Sequence, residues 1–140
     1  MSIVLAYTPN PSGDAAAAFA AEEAQARKTN IVVVNSSRGG ALGDPNLASP
    51  EQLDELRARF DSVGVPCVVE QPIRGKDADE ETLDAADRHG AIMIVLGTRH
   101  RSNVGKFIMG STAQRIIMDS DIPVVAVKPS KASGHTSTTK

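Results

Sequence analysis

Ile92-Met93-Ile94-Val95-Leu96 is a run of five apolar residues with no polar break, and Gly97 follows it directly. A strand with one wet face alternates apolar and polar residues. A run that is apolar throughout needs cover on both faces, which a parallel sheet between helical layers supplies. Four more runs read the same way: Ile3-Val4-Leu5-Ala6-Tyr7, Ile31-Val32-Val33-Val34, Val65-Pro66-Cys67-Val68-Val69 and Pro123-Val124-Val125-Ala126-Val127. Segments of helical spacing separate them. Strands alternating with helices at this length give right-handed βαβ units and a doubly wound α/β sheet of five strands.

The spacing predicts a first helix over residues 14–28, with Asp14 as its cap and Arg27 and Lys28 at the negative end of its dipole. Ser49-Pro50-Glu51-Gln52 opens a second with a cap and a first-turn proline; Leu53, Leu56 and Phe60 share a face and Gly64 is the stop. A third begins at Asp77 or Asp79, turns Leu83, Ala86 and Ala85 inward and ends at Gly90. A fourth begins at Ser111 or Thr112 and runs through Ile116 and Ile117 to the turn Asp119-Ser120-Asp121. The acid pairs Glu22-Glu23 and Glu80-Glu81 read as solvated helix faces. Residues 38–49 form a Gly-, Pro- and Asn-rich loop directly after the second strand, placed as a flap over the sheet edge where such folds bind ligands. Residues 130–140 are small and polar, an expected disordered tail after a single domain over 1–129. No internal repeat interrupts this order.

Composition narrows the function classes. The chain has 140 residues, the size of one domain, and 15 basic against 17 acidic side chains leave a net charge of −2. That balance argues against nucleic-acid or anionic-membrane binding, which rests on clustered Lys and Arg. Three Phe, one Tyr and no Trp offer little for base stacking. Cys67, the single cysteine, stands in an apolar run without CxxC or metal-ligand spacing and reads as a packed, inert thiol. No run approaches the roughly 20 apolar residues of a membrane span, and the N-terminus lacks the basic and long apolar regions of a signal peptide. The expectation is a soluble, cytoplasmic protein.

The stretch with the most chemistry is Gly97-Thr98-Arg99-His100-Arg101-Ser102-Asn103-Val104-Gly105-Lys106-Phe107-Ile108-Met109-Gly110-Ser111-Thr112, between the fourth strand and the fourth helix. Glycines there let the backbone approach a ligand, and the free amides of a helix start favour a phosphate. Ser111 and Thr112 add hydroxyls, while Arg99, Arg101 and Lys106 make the loop locally positive in an acidic protein. Singly, each residue has a plainer role as turn former, cap or solvated charge. Their concurrence at one strand-to-helix junction favours an anion site. It is not a P-loop, because GxxxxGK[ST] does not occur.

Gly97, two residues, His100, nine residues and Gly110-Ser111 resemble the universal stress protein signature, Gly-x2-Gly-x9-Gly-Ser/Thr. Gln114-Arg115-Ile116-Ile117 and Asp121-Ile122-Pro123-Val124-Val125-Ala126-Val127-Lys128 are similar too, and the resemblance covers residues 2–129. It implies an adenine-nucleotide α-hydrolase-like fold, a five-stranded parallel sheet between helices, joined as a homodimer through the last strand. It also implies ATP as a ligand, with magnesium and no permanent metal. Phosphates would lie on Gly97, Gly110, Ser111 and Thr112, beside Arg99, His100 and Arg101; Ala6, Tyr7, Thr8 and the Asn35-Ser36 end of strand two would form the other side.

Two positions depart from the pattern. His100 stands where the motif has its second glycine, adding bulk but also a possible contact, and Thr8 replaces the acidic residue after strand one. Thr8 can bond a ribose hydroxyl, though without a carboxylate's strength or its hold on magnesium. The leading function is therefore a nucleotide-binding regulatory protein of the stress response. The alternative is a dimeric interaction module of the same fold that has lost nucleotide. An enzyme ranks last: His89 reads as a helix-end residue, His135 lies in the tail, and Ser36, Ser37, Ser102 and Ser111 show no His and Asp partners at meaningful spacing. No cluster of His, Cys, Asp or Glu has metal spacing, so catalytic and metal residues are both expected to be absent.

Overall fold

Nine elements alternate in a computed structural model that describes residues 1–36, 46–72, 76–98 and 109–129. The strands are β1 (Ser2–Ala6), β2 (Asn30–Val34), β3 (Cys67–Glu70), β4 (Ala91–Gly97) and β5 (Val124–Val127). The helices are α1 (Pro11–Arg27), α2 (Pro50–Ser62), α3 (Ala78–Arg88) and α4 (Ser111–Asp119). All pairings are parallel, in the order β3-β2-β1-β4-β5. The chain winds outward from β1 through β2 to β3, then crosses back to lay β4 and β5 on the other side. That reversal makes the boundary of β1 and β4 a topological switch point, the place where open α/β sheets bind ligands.

Alternation along each strand explains the unbroken apolar runs. Ile3, Leu5, Ile31, Val33 and Val95 point to the α1/α2 layer, with Ala16, Ala17, Ala20, Leu56 and Phe60. Val4, Val32, Val34, Ile94 and Leu96 point to the α3/α4 layer, with Ala85, Ala86 and Ile116. Both faces are dry, as a central parallel strand requires. At roughly 1.5–3 kcal/mol per fully buried large aliphatic side chain, these two layers supply most of the drive to fold.

The element boundaries correct several expectations. Helix α1 starts three residues before Asp14, because Asn10 is the cap: its Oδ1 accepts from the Gly13 amide at 2.8 Å, and Pro11 takes the first turn. Asp14 becomes a first-turn acid instead. Strand β3 begins after Pro66 at Cys67, leaving Val65 as a buried residue ahead of it. Strand β1 ends at Ala6, although the Tyr7 amide still bonds the Val34 carbonyl at 2.9 Å. Glu81 is not on a solvated face, being 1% exposed, because the helical period of α3 places it beside Ala85 on the inward side. Cys67 is half-buried, and burial pushes its thiol up, in keeping with an unreactive sulfur. Of the 38–49 loop only residues 46–49 are among those described, and the 130–140 tail lies outside them. No helix among the described residues is long and apolar enough to cross a membrane.

Candidate functional site

An open cleft with about 80 Å³ of space for water-sized molecules lies at the carboxyl ends of β1, β2 and β4, on the α3/α4 side of the sheet. Val34, Leu96, Ala78, Ala113 and Ile116 give it apolar walls, and Thr8, Ser36, Thr82 and Thr112 bring hydroxyls. Thr82 spends its hydroxyl on its own helix, donating to the Ala78 carbonyl at 2.8 Å. Ser36 differs: the residue is 8% exposed, and its Oγ is buried with no hydrogen-bond partner. A buried polar atom without a partner is uncommon in a folded protein.

The start of α4 closes the opposite end. Gly110 occupies the N-cap and, among the described residues, no side chain caps the helix, whereas Asn10 caps α1 and Ser49 caps α2, the latter accepting from the Gln52 amide at 3.1 Å. The first intrahelical bond of α4 runs from the Gln114 amide to the Gly110 carbonyl at 3.1 Å. The amides of Ser111, Thr112 and Ala113 precede that bond, where the positive end of the helix dipole favours an anion. Gln114 also steadies the approach, its Nε2 donating to the Met109 carbonyl at 3.2 Å. Arg115 links the two helix starts beside the cleft, 3.5 Å from Asp77 and 4.0 Å from Asp79.

The opposite wall is held by Asn35. Its Nδ2 donates to the carbonyls of Tyr7 and Asn46, both at 2.9 Å, and its Oδ1 accepts from the Ala48 amide and Gln71 Nε2, both at 2.8 Å. The ends of β1, β2 and β3 and the chain entering α2 are thereby fastened to one fully buried amide.

The structure brings Ala6, Tyr7, Thr8, Ser36 and Thr112 together around the cleft, with Gly110 and Ser111 at the head of α4. Arg99, His100 and Arg101 lie outside the described residues. Tyr7 lines the cleft while its phenol donates to Asp14 on α1 at 3.4 Å; burial, then the Asp14 charge, pushes its pKa up and keeps it protonated. A Cβ on Gly97 would collide with the Ser12 carbonyl, so the first turn of α1 is a close neighbour at that position. Sequence reasoning missed Val34, Leu96, Ala78, Thr82, Ala113 and Ile116. Strand parity from Ser36 back to Val34 was the available signal for the first of these. His89 caps the C-terminus of α3, with Nε2 2.7 Å from Glu70. Among the described residues no three His, Cys, Asp or Glu side chains are grouped to hold a metal.

The family described as the Universal stress protein family matches residues 1–128. A universal stress protein from Mycolicibacterium smegmatis is 41% identical over 127 residues, covering 91% of this chain and 97% of that one. The solved universal stress protein from Archaeoglobus fulgidus superposes with a TM-score of 0.77 at 31% identity, covering 91% of this chain and 97% of its own. A second structure from that organism, in complex with dAMP, gives a TM-score of 0.72 at 27% identity over 91% and 96% of the two chains.

Proposed function

Since the chain belongs to the universal stress protein family, we propose that it is a stress-response regulatory protein that binds ATP or a related nucleotide between the end of β2 and the start of α4. One observation carries this reading: a single cleft has an uncapped helix start at one end and a buried, partnerless hydroxyl at the other. The first wants an anion and the second a hydrogen-bonding group. β2 and β4 are two strand spacings apart, about 10 Å, a length comparable to that between the base and 5′-phosphate of a nucleotide. The dAMP held by the related Archaeoglobus protein supports the same class of ligand.

In this reading the phosphates rest on Gly110, Ser111 and Thr112, with Arg99, His100 and Arg101 supplying charge from the preceding loop. Gly97 aligns that loop by seating the end of β4 on α1. Ala6, Tyr7 and Thr8 border the ribose, and Ser36 the base. Magnesium arrives with the nucleotide and is held by its phosphates, since Thr8 offers no carboxylate. The site binds and reports rather than turns over substrate. Residues 1–129 act as one domain, paired with a second copy through the edge strand within 123–127.

The test is the melting temperature with and without millimolar ATP and magnesium, for wild type and Gly110→Val. Gly110 has φ −67°, so valine suits the backbone, and its side chain obstructs the approach to α4. At a hundredfold excess over Kd, wild type rises by about 5–10 °C and the variant does not. If wild type does not respond, and the denatured protein releases no nucleotide, the reading falls in favour of the nucleotide-free interaction module.

A further inference from the structure

We propose that Arg115 is a positioning residue of the cleft: by pairing with Asp77 and Asp79 it fixes the start of α4 against the start of α3, and so holds the free amides of α4 where a ligand's anion meets them. The inference rests on the nucleotide reading of the same cleft and adds to it a side chain that touches no part of the ligand.

The two walls of the cleft are held in different ways. The strand ends are fixed by the parallel ladder and by the four bonds of Asn35. The helical wall has no ladder. Ala78 and Thr82 of α3 and Thr112 and Ala113 of α4 line it with small side chains, which offer few atoms for the dispersion contacts that would set the spacing of the two helix starts. Ile116 anchors α4 further along, where it is fully buried.

Arg115 spans this wall at its rim. Helical side chains lean toward the N-terminus, so a long side chain one turn into α4 reaches back to the level of its first residues. There Nη1 lies 3.5 Å from Asp77 Oδ2 and 4.0 Å from Asp79 Oδ1. Asp77 is the N-cap of α3, its amide donating to Glu80 Oε1 at 3.3 Å, so a hold on its carboxylate is a hold on the helix start itself. Asp79 adds a second reason for the pairing. Its side chain is only 9% exposed, and a carboxylate so far out of water needs a cation or donors beside it. Among the described residues Arg115 is the cation within 4.0 Å of it.

Positioning and plain electrostatics predict opposite signs. Acids beside an anion site repel the ligand and occupy Arg115, so on charge alone neutralising them strengthens the binding of a polyphosphate. If the acids serve to anchor Arg115, neutralising them releases the start of α4 and weakens binding. Asparagine suits this comparison, because it matches aspartate in shape and in its capping of a helix start, and so leaves α3 intact.

Isothermal titration with ATP and magnesium compares wild type, Arg115→Gln, Arg115→Lys, the paired variant Asp77→Asn with Asp79→Asn, and a triple variant that adds Arg115→Gln to the pair. Arg115→Gln and the paired variant each weaken ATP about fivefold, and the triple variant is no weaker than either. Arg115→Lys stays within about twofold of wild type, since a single nitrogen makes both contacts. Stronger binding by the paired variant overturns the proposal and makes Arg115 a phosphate ligand restrained by the acids. Additive losses, or affinities that do not change, overturn it as well. Ligand-free melting temperatures fall by no more than a few degrees, because Arg115 is more than half exposed; a loss of stability that tracks the loss of affinity would assign the pair to the fold instead. Wild type that binds no ATP removes the nucleotide reading itself, and this proposal with it.

Discussion

The Asn35 side-chain amide donates to the Tyr7 carbonyl at 2.9 Å, tying the end of β2 to the end of β1 just past the last paired residues, Ala6 and Val34. The same side chain meets Asn46, Ala48 and Gln71, so one buried group holds the strand ends that border the cleft and the chain that returns from the 38–49 loop. Replacing it with alanine strands the Tyr7 carbonyl and the Ala48 amide in a dry environment. The expected loss is about 3 kcal/mol, read from urea unfolding. Asn35→Asp keeps the acceptor but turns both donors into an oxygen facing two carbonyls, and it loses a comparable amount. A cost under about 1 kcal/mol for both variants would show that water replaces the network.

Gly13 and Gly97 are required by contact rather than by backbone angle. A Cβ on Gly13 would overlap the Thr8 carbonyl, and one on Gly97 the Ser12 carbonyl, whereas Gly64 and Gly90 have open space and φ values of 73° and 59°. Gly97→Ala and Gly13→Ala therefore separate α1 from the sheet and cost about 1–3 kcal/mol each. Gly64→Ala costs about 1 kcal/mol through its left-handed conformation alone. Calorimetry distinguishes them by a further substitution: Gly97→Val loses clearly more than Gly97→Ala, while Gly90→Asn recovers much of what Gly90→Ala loses.

Much of the fold was legible because a parallel sheet writes both its faces into each strand, as in Ile3 to Leu5 and Ile31 to Val34. Helix starts were legible where the cap adjoins the pattern, as at Ser49 and Asp77. Asn10 was passed over because Asp14 offers a competing cap inside the same alanine-rich run. The lining of the cleft was legible where it is contiguous, at Ala6, Tyr7 and Thr8, and at Thr112. Ala78 and Thr82 reach the cleft only because α3 packs against α4 and the β1/β2 face, a tertiary fact with no local signature. Asn35 was named as a strand end, but its partners stand 11, 13, 28 and 36 residues away, so its role as a clamp could not be read locally.

Glu70 gives stability a defined acid dependence. Arg88 reaches it through two bonds at 2.8 and 3.2 Å, and His89 at 2.7 Å, and the Arg88 hydrogen bonds above all hold its carboxyl down to about 2. A carboxyl depressed on folding stabilises above its unfolded value near 4.5 and loses that contribution as pH falls towards 2. Arg88 is half-exposed, so screening reduces the gain to about 1 kcal/mol. Glu70→Gln is accordingly less stable than wild type by that amount at pH 7, and the gap closes between about pH 5 and pH 2. A gap that stays constant across this window would assign the difference to packing and not to charge.

Strand β5 is an outer strand whose second edge meets no other strand among the described residues, and Ala126 is exposed on it beside half-buried Val125 and Val127. Open apolar edges invite pairing with another chain, and a strand that pairs with its own copy across a twofold axis covers both edges at once. Exposed Ile117 and Met118 on α4 add apolar surface on the element preceding β5. Ala126→Lys places a charge on that edge without entering either core layer. Wild type sediments as a dimer at micromolar concentration and the lysine variant as a monomer with its melting curve shifted down, since association contributes to apparent stability. Sedimentation of wild type as a monomer would leave the β5 edge unpaired in solution and dismiss the interface.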